Sequence, residues 1–141
     1  MTYASLSDLV ERAGEIEILD TADRDHDGIA DADVIQAALE AADEAINGYL
    51  AVRFRLPLTT VAPVVQRWAV SIARYHLHRN GPPDYVVRDY RDAFAELEKA
   101  VAGKLNVPGA DGTTPAASSG GATVSEGPEP AFTRDKLGGW L

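Results

Sequence analysis

The residues with the most chemical potential lie between Asp23 and Asp31. The run Asp23-x-Asp25-x-Asp27-Gly28-x-x-Asp31 sets carboxylates at alternate positions around one glycine. Calcium takes about six to eight hard oxygen ligands, and EF-hand-type loops supply them from alternate positions with a glycine at the sharp turn. On this pattern Asp23, Asp25, Asp27 and Asp31 are the candidate metal ligands, and the ion would be a structural calcium. The pattern is incomplete. The twelfth position, a bidentate Glu in such loops, is Val34, with Asp33 one place early, and the eighth is Ala30. The same aspartates can instead form an acidic turn that hydrogen-bonds its own backbone and caps the next helix, and both readings stand at this point. Without a cation the crowded carboxylates repel one another, so this loop is expected to be the least ordered part of the domain.

Little else has the spacing of a catalytic centre. His76 and His78 are two apart and would point in different directions on a helix. The sequence contains no HExxH, CxxC, GxSxG, Walker A or GxGxxG motif and no cysteine. That leaves no basis for an enzyme, and no cofactor other than the possible calcium. The absence of cysteine also fits a reducing compartment. Two binding candidates remain. Arg67, Ser71, Arg74 and His78, at steps of four, three and four, form a basic helix stripe, either a solvated helix face or a surface that meets an acidic protein. Near the end of the chain, AFTRDKLGGWL combines the apolar Phe132, Leu137, Trp140 and Leu141 with the basic Arg134 and Lys136. This is the composition of a docking peptide that orders on binding, or of an end that folds back onto its own domain.

The elements that would carry these residues read as helices. A first helix starts after Ser5 or Ser7, with Leu6, Leu9 and Val10 as its apolar patch, and ends at Gly14. EIEIL alternates like a strand, but Ile16 and Leu19 at i, i+3 favour a short helix. A long central helix begins near Asp31 or Asp33. Its stripe is Ile35, Leu39, Ala42, Ile46, Tyr49, Leu50 and Phe54, with Ala37, Ala38, Ala41 and Ala45 beside it for close helix approach. The pattern reads through Asn47-Gly48, where close packing would offset the cost of the glycine, and Pro57 stops the helix. Pro63 opens the next helix, with Val64, Val65, Trp68, Ile72 and Tyr75 on one face. Asn80-Gly81-Pro82-Pro83 breaks it. A last helix carries Val86 or Val87, Tyr90, Phe94, Leu97 and Val101, supported by Asp84–Arg88 and Arg88–Asp92 pairs, and ends at Gly103.

The 141 residues suit one domain with a sizeable core. No apolar run is long enough for a membrane helix, and the first residues lack the basic and apolar regions of a secretory leader. The net charge of −9 is unevenly spread. Residues 1–44 hold 13 acids and two arginines, whereas residues 45–107 hold nine bases and five acids. Such a polarised domain suits head-to-tail packing with its own copies, because opposite potentials orient association. Overall acidity disfavours duplex DNA as a bound partner. Of the 25 residues 106–130, 19 are Gly, Pro, Ala, Ser or Thr. The organisation is therefore an all-α bundle of four to five helices over residues 1–105, a flexible linker over 106–130, and a docking peptide over 131–141.

Several motifs in order resemble a known family. They are Tyr3-Ala4 with Asp8-Leu9, Leu19-Asp20-Thr21-Ala22-Asp23-Arg24-Asp25-x-Asp27-Gly28, and Ile46-Asn47-Gly48-Tyr49-Leu50. Arg53-Phe54-x-Leu56-Pro57-Leu58, then Pro63 with Arg67, and Ile72-Ala73-Arg74-Tyr75-x-Leu77 follow. Over about residues 1–105 the chain resembles the Mu-like prophage head–tail connector family, with Asn47 in place of an expected acid. The resemblance implies a structural adaptor, or head-completion protein, forming a twelve-subunit ring beneath the portal. Its implied partners are the portal protein, neighbouring subunits and a tail-side stopper or neck protein. DNA would pass along an acidic channel without being bound, and no membrane is involved. The C-terminal arm would reach the portal or a neighbouring subunit. The implied location is the virion neck, after synthesis in the host cytoplasm. The alternative is a calcium-responsive interaction module built on the acidic loop.

Overall fold

A computed structural model describes residues 2–110. The chain from residue 111 onward, including most of the expected linker and the 131–141 peptide, lies outside the described residues. Five helices follow in order: α1 Leu6–Ala13, α2 Glu15–Ala22, α3 Ala32–Leu50, α4 Pro63–Leu77 and α5 Asp84–Val101. No strand occurs among the described residues, so the fold is all-α, as expected.

Local chemistry starts and stops these helices. The Ser5 hydroxyl accepts from the Asp8 backbone N–H while the Ser5 N–H donates to the Asp8 carboxylate, a reciprocal capping box. The Ser5 N–H also holds the Asp8 carboxyl below the ordinary carboxylate range. Gly14, at φ 92°, ends α1 and starts α2 without the strain a side chain would bring there. Pro63 occupies the first turn of α4, where its missing N–H costs nothing. After α5, Gly103 at φ 84° lets the Lys104 N–H reach back to the Lys99 carbonyl at 2.8 Å.

The core is organised around α4, which packs against each of the other four helices. Nine of its 15 residues are buried, so it has no solvent face of the ordinary width. Its most extensive partner is α3, the longest helix, which buries Ile35, Ala38, Leu39, Ala42, Ile46 and Leu50. An aromatic ladder joins three helices. Tyr75 of α4 stacks on Tyr90 of α5 at 3.8 Å, Tyr90 meets Phe94 edge-on at 4.9 Å, and Phe94 meets Tyr49 of α3 at 5.5 Å.

Four sequence expectations shift. Helix α3 ends at Leu50 rather than running to Phe54. Ala51, Val52 and Arg53 are exposed, and Phe54 packs on the core from a non-helical segment. The EIEIL segment is helical, but its inward residues are Ile18 and Ala22, and Ile16 and Leu19 face solvent. The Asp84–Arg88 and Arg88–Asp92 pairs are not among the ion pairs of the described residues, where Asp89 instead takes Arg12 at 3.2 Å. The domain also passes its expected limit at residue 105: Val107 is buried, and the Thr59 hydroxyl donates to the Gly109 carbonyl at 3.2 Å.

Gly48 does not serve close helix approach either, because a Cβ there would meet nothing within 4 Å. It has helical geometry and an open surface, so only its backbone entropy counts. Gly48→Ala should stabilise the domain by about 0.5–1 kcal/mol, read as a higher midpoint in urea unfolding with an unchanged slope.

Candidate interaction surfaces

The acidic loop closes on itself. Both Asp23 oxygens accept backbone N–H groups, from Asp27 at 3.0 Å and from Gly28 at 2.8 Å. Asp27 accepts from Ile29 N–H at 2.9 Å, and Asp31 accepts from Arg24 N–H at 2.9 Å. His26 and Gly28 take positive φ, 60° and 87°, which aims these amides inward. The loop is therefore knit by hydrogen bonds rather than splayed by repulsion. Asp31 is the N-cap residue of α3 by position, but its carboxylate caps the loop and makes no side-chain cap to the helix.

The four predicted ligands do converge: one carboxylate oxygen from each of Asp23, Asp25, Asp27 and Asp31 lies within 4.8 Å of the others. Their charge is relieved unevenly. Burial pushes the Asp23 carboxyl up, but the Gly28 and Asp27 amides outweigh it and hold it below its ordinary value. Asp25 moves the other way, raised first by its hydrogen bond to Asp23 and then by burial and the charges of Asp27 and Asp31. Four carboxylates would supply part of the calcium shell, and several of their lone pairs already hold backbone amides.

The basic stripe of α4 is brought together, but it faces its own chain. Arg74 is buried and forms a bidentate pair with Glu17 of α2, Nε to Oε2 at 2.6 Å and Nη2 to Oε1 at 2.7 Å. His78 Nε2 lies 3.1 Å from Glu17 Oε2, and since the carboxylate only accepts, this nitrogen carries the proton. Asp89 of α5 sits 3.9 Å from Arg74 and also holds Arg12 of α1. Further along, Arg67 and the Trp68 indole N–H donate to the same Glu96 oxygen, at 2.6 and 2.7 Å. Burial pushes the Glu96 carboxyl up, yet these two donors prevail and hold it below its usual range. The stripe meets Glu17, Asp89 and Glu96 of its own chain, and Arg67 remains exposed beside Glu96.

Those three acids were not singled out in the sequence. The available signal was the polar residues of α4 lying within an otherwise buried helix, since buried cations need internal counter-ions. A second unforeseen contact fixes the N-terminus: the Tyr3 N–H donates to Asp43 at 3.1 Å, and its hydroxyl donates to Asn47. A small cleft of about 200 Å³ lies between α2, the acidic loop and the end of α4, lined largely by charged groups including Asp20, Asp23, Arg24 and Arg79. The predicted docking residues Phe132, Arg134, Lys136, Leu137, Trp140 and Leu141 lie outside the described residues.

The chain is similar to phage proteins. The family described as "Bacteriophage Mu, Gp36" matches residues 3–126. "Gene product J" of Escherichia phage Mu is 35% identical over 141 residues, covering 98% of this chain and 99% of the relative. "Mu-like prophage FluMu protein gp36" of Haemophilus influenzae is 41% identical over 73 residues, covering 52% of each.

Removing the carboxylate of Glu17 strands a buried guanidinium. Glu17→Gln should cost about 2–3 kcal/mol, measured by chemical denaturation at neutral pH. The Arg74 hydrogen bonds lower the Glu17 pKa below its ordinary 4.5. Its stabilisation is therefore present above that value and is lost as pH falls through the lower, folded-state pKa. The variant should show a shallower loss of stability on acidification below about pH 4.5 than the parent.

Proposed function

The chain belongs to the bacteriophage Mu Gp36 family, and from that premise we propose that this phage protein is a structural adaptor of the head–tail neck. In this reading copies form a ring, twelve-fold in the simplest case, beneath the portal. The ring joins the capsid to a tail-side stopper or neck protein, and DNA passes through without being bound. The protein acts by assembly and not as an enzyme, and its place is the virion, after synthesis in the bacterial cytoplasm.

The observation that carries the reading is the placement of charge along α3. The acidic loop immediately precedes this 19-residue helix, and the exposed Arg53 and Arg55 immediately follow it. The helix separates the two ends by about 28 Å. A subunit with opposite potentials at its ends suits repeated, same-sense contacts, which close into a ring when the rotation permits. The sequence beyond residue 110 supports the second half of the reading. A Gly/Pro/Ala/Ser/Thr-rich stretch followed by Phe132, Arg134, Lys136, Leu137, Trp140 and Leu141 suits a tethered arm that docks on the portal or on a neighbouring subunit. No helix among the described residues is long and apolar enough to cross a membrane.

A calcium-responsive interaction module is the other reading, supported by the converging aspartates alone. Calcium or EDTA that leaves the melting temperature unmoved removes it.

Electron microscopy of the protein mixed with its cognate portal tests the adaptor reading, and rings stacked on the portal are expected. A variant lacking residues 131–141 should keep the parent's melting temperature and lose portal binding. Normal binding by that variant would remove the arm from the reading.

A further inference from the structure

Seven large apolar side chains are exposed among the described residues, and five of them lie in two regions of the domain. Ile16, Leu19 and Ile29 lie on α2 and the acidic loop, with Ile16 77% and Ile29 69% exposed. Val52, 67% exposed, and Val61 lie on the segment between α3 and α4. The loop closes onto α2 through the Asp31 N–H and the Ala22 carbonyl at 3.0 Å, so the first three belong to one end of the domain. The second face is joined to the end of α5: an Arg53 guanidinium nitrogen reaches the Val101 carbonyl at 3.5 Å, and Thr59 reaches Gly109.

The chain segments that carry these apolar residues differ in the sign of their charge, although Arg24 and Arg79 stand beside Asp20 and Asp23 at the first end. Residues 15–33 hold eight acids and one arginine. Residues 51–62 and 99–110 together hold Arg53, Arg55, Lys99 and Lys104 and no acid. The two ends stand about 28 Å apart along α3, against a screening length of about 8–10 Å in physiological salt. They therefore cannot neutralise each other within one copy. An apolar centre with a charged rim is the anatomy of a protein interface, and each face has the complement of the other.

We propose that the occupant of each face is a second copy of this chain: the Ile16/Leu19/Ile29 face of one copy packs on the Val52/Val61 face of the next. The contact is heterologous, so a joined pair of copies still presents one free face of each kind and can continue the series. This rests on the adaptor reading and deepens it by naming the faces through which copies meet. Asp20 and Arg55, whose side chains make no hydrogen bond or ion pair among the described residues, are exposed contributors to the two rims.

The absence of cysteine makes the full-length chain directly testable. Ile29→Cys and Val52→Cys variants are mixed under mild oxidation and resolved on a non-reducing gel. The mixed pair should cross-link about tenfold or more faster than either variant alone, an advantage that falls with added salt. A chain carrying both substitutions should give a ladder. Asp20→Lys in one partner or Arg55→Glu in the other should lower the mixed yield, and the two together should restore it. Equal same-site cross-linking, or none, overturns the proposal. Portal-bound rings in which Ile29→Cys and Val52→Cys do not cross-link sink this interface alone. A cross-linked ladder that never binds portal sinks the adaptor reading alone.

Discussion

The burial of α4 sets the terms for everything around it. A helix with nine of 15 residues buried must be covered on nearly all sides, and here α1, α2, α3 and α5 provide the cover. Trp68, Val65, Ile72 and Leu77 are fully enclosed, each removing a large apolar surface from water. The same enclosure takes in Arg74, whose charge could not be buried without a partner. Glu17 answers it from α2, and Asp89 stands near it from α5. A short helix that buries only Ile18 and Ala22 is thus tied to the core by a polar contact. No side-chain nitrogen or oxygen that is buried among the described residues lacks a hydrogen-bond partner, which is what such a core requires.

Much of this was legible in the sequence because it depends on neighbours in the chain. Ser5 with Asp8, Gly14, Pro63 and Gly103 act within one helical turn, and they mark helix ends as their chemistry implies. The α3 stripe likewise follows from period alone. What was not legible depends on residues far apart. Glu17 and Arg74 are separated by 57 positions, and only the tertiary fold decides that Arg74 points inward. The end of α3 at Leu50 is of the same kind, since the helix stops before the next proline where Ala51, Val52 and Arg53 turn to solvent. The aspartate loop combines both of its sequence readings, converging carboxylates and a turn bonded to its own backbone, and only the fold, with His26 at positive φ, decides which amides those carboxylates hold.

The ambiguity of EIEIL has a physical source that bears on assembly. Its strand-like alternation arises because both sides of α2 carry apolar residues. Ile18 faces the core beside Glu17, and Ile16 and Leu19 face outward. The inward pair accounts for the fold. The outward pair does not contribute to the bundle, and exposed Ile and Leu on a small acidic domain favour association. Helix α2 therefore has one face committed to the core through Glu17 and another that folding alone does not explain. Joining the two on eight residues places the internal ion pair and the outward apolar pair on one short helix. The ion pair and the buried Ile18 and Ala22 together hold the helix that presents the acidic end.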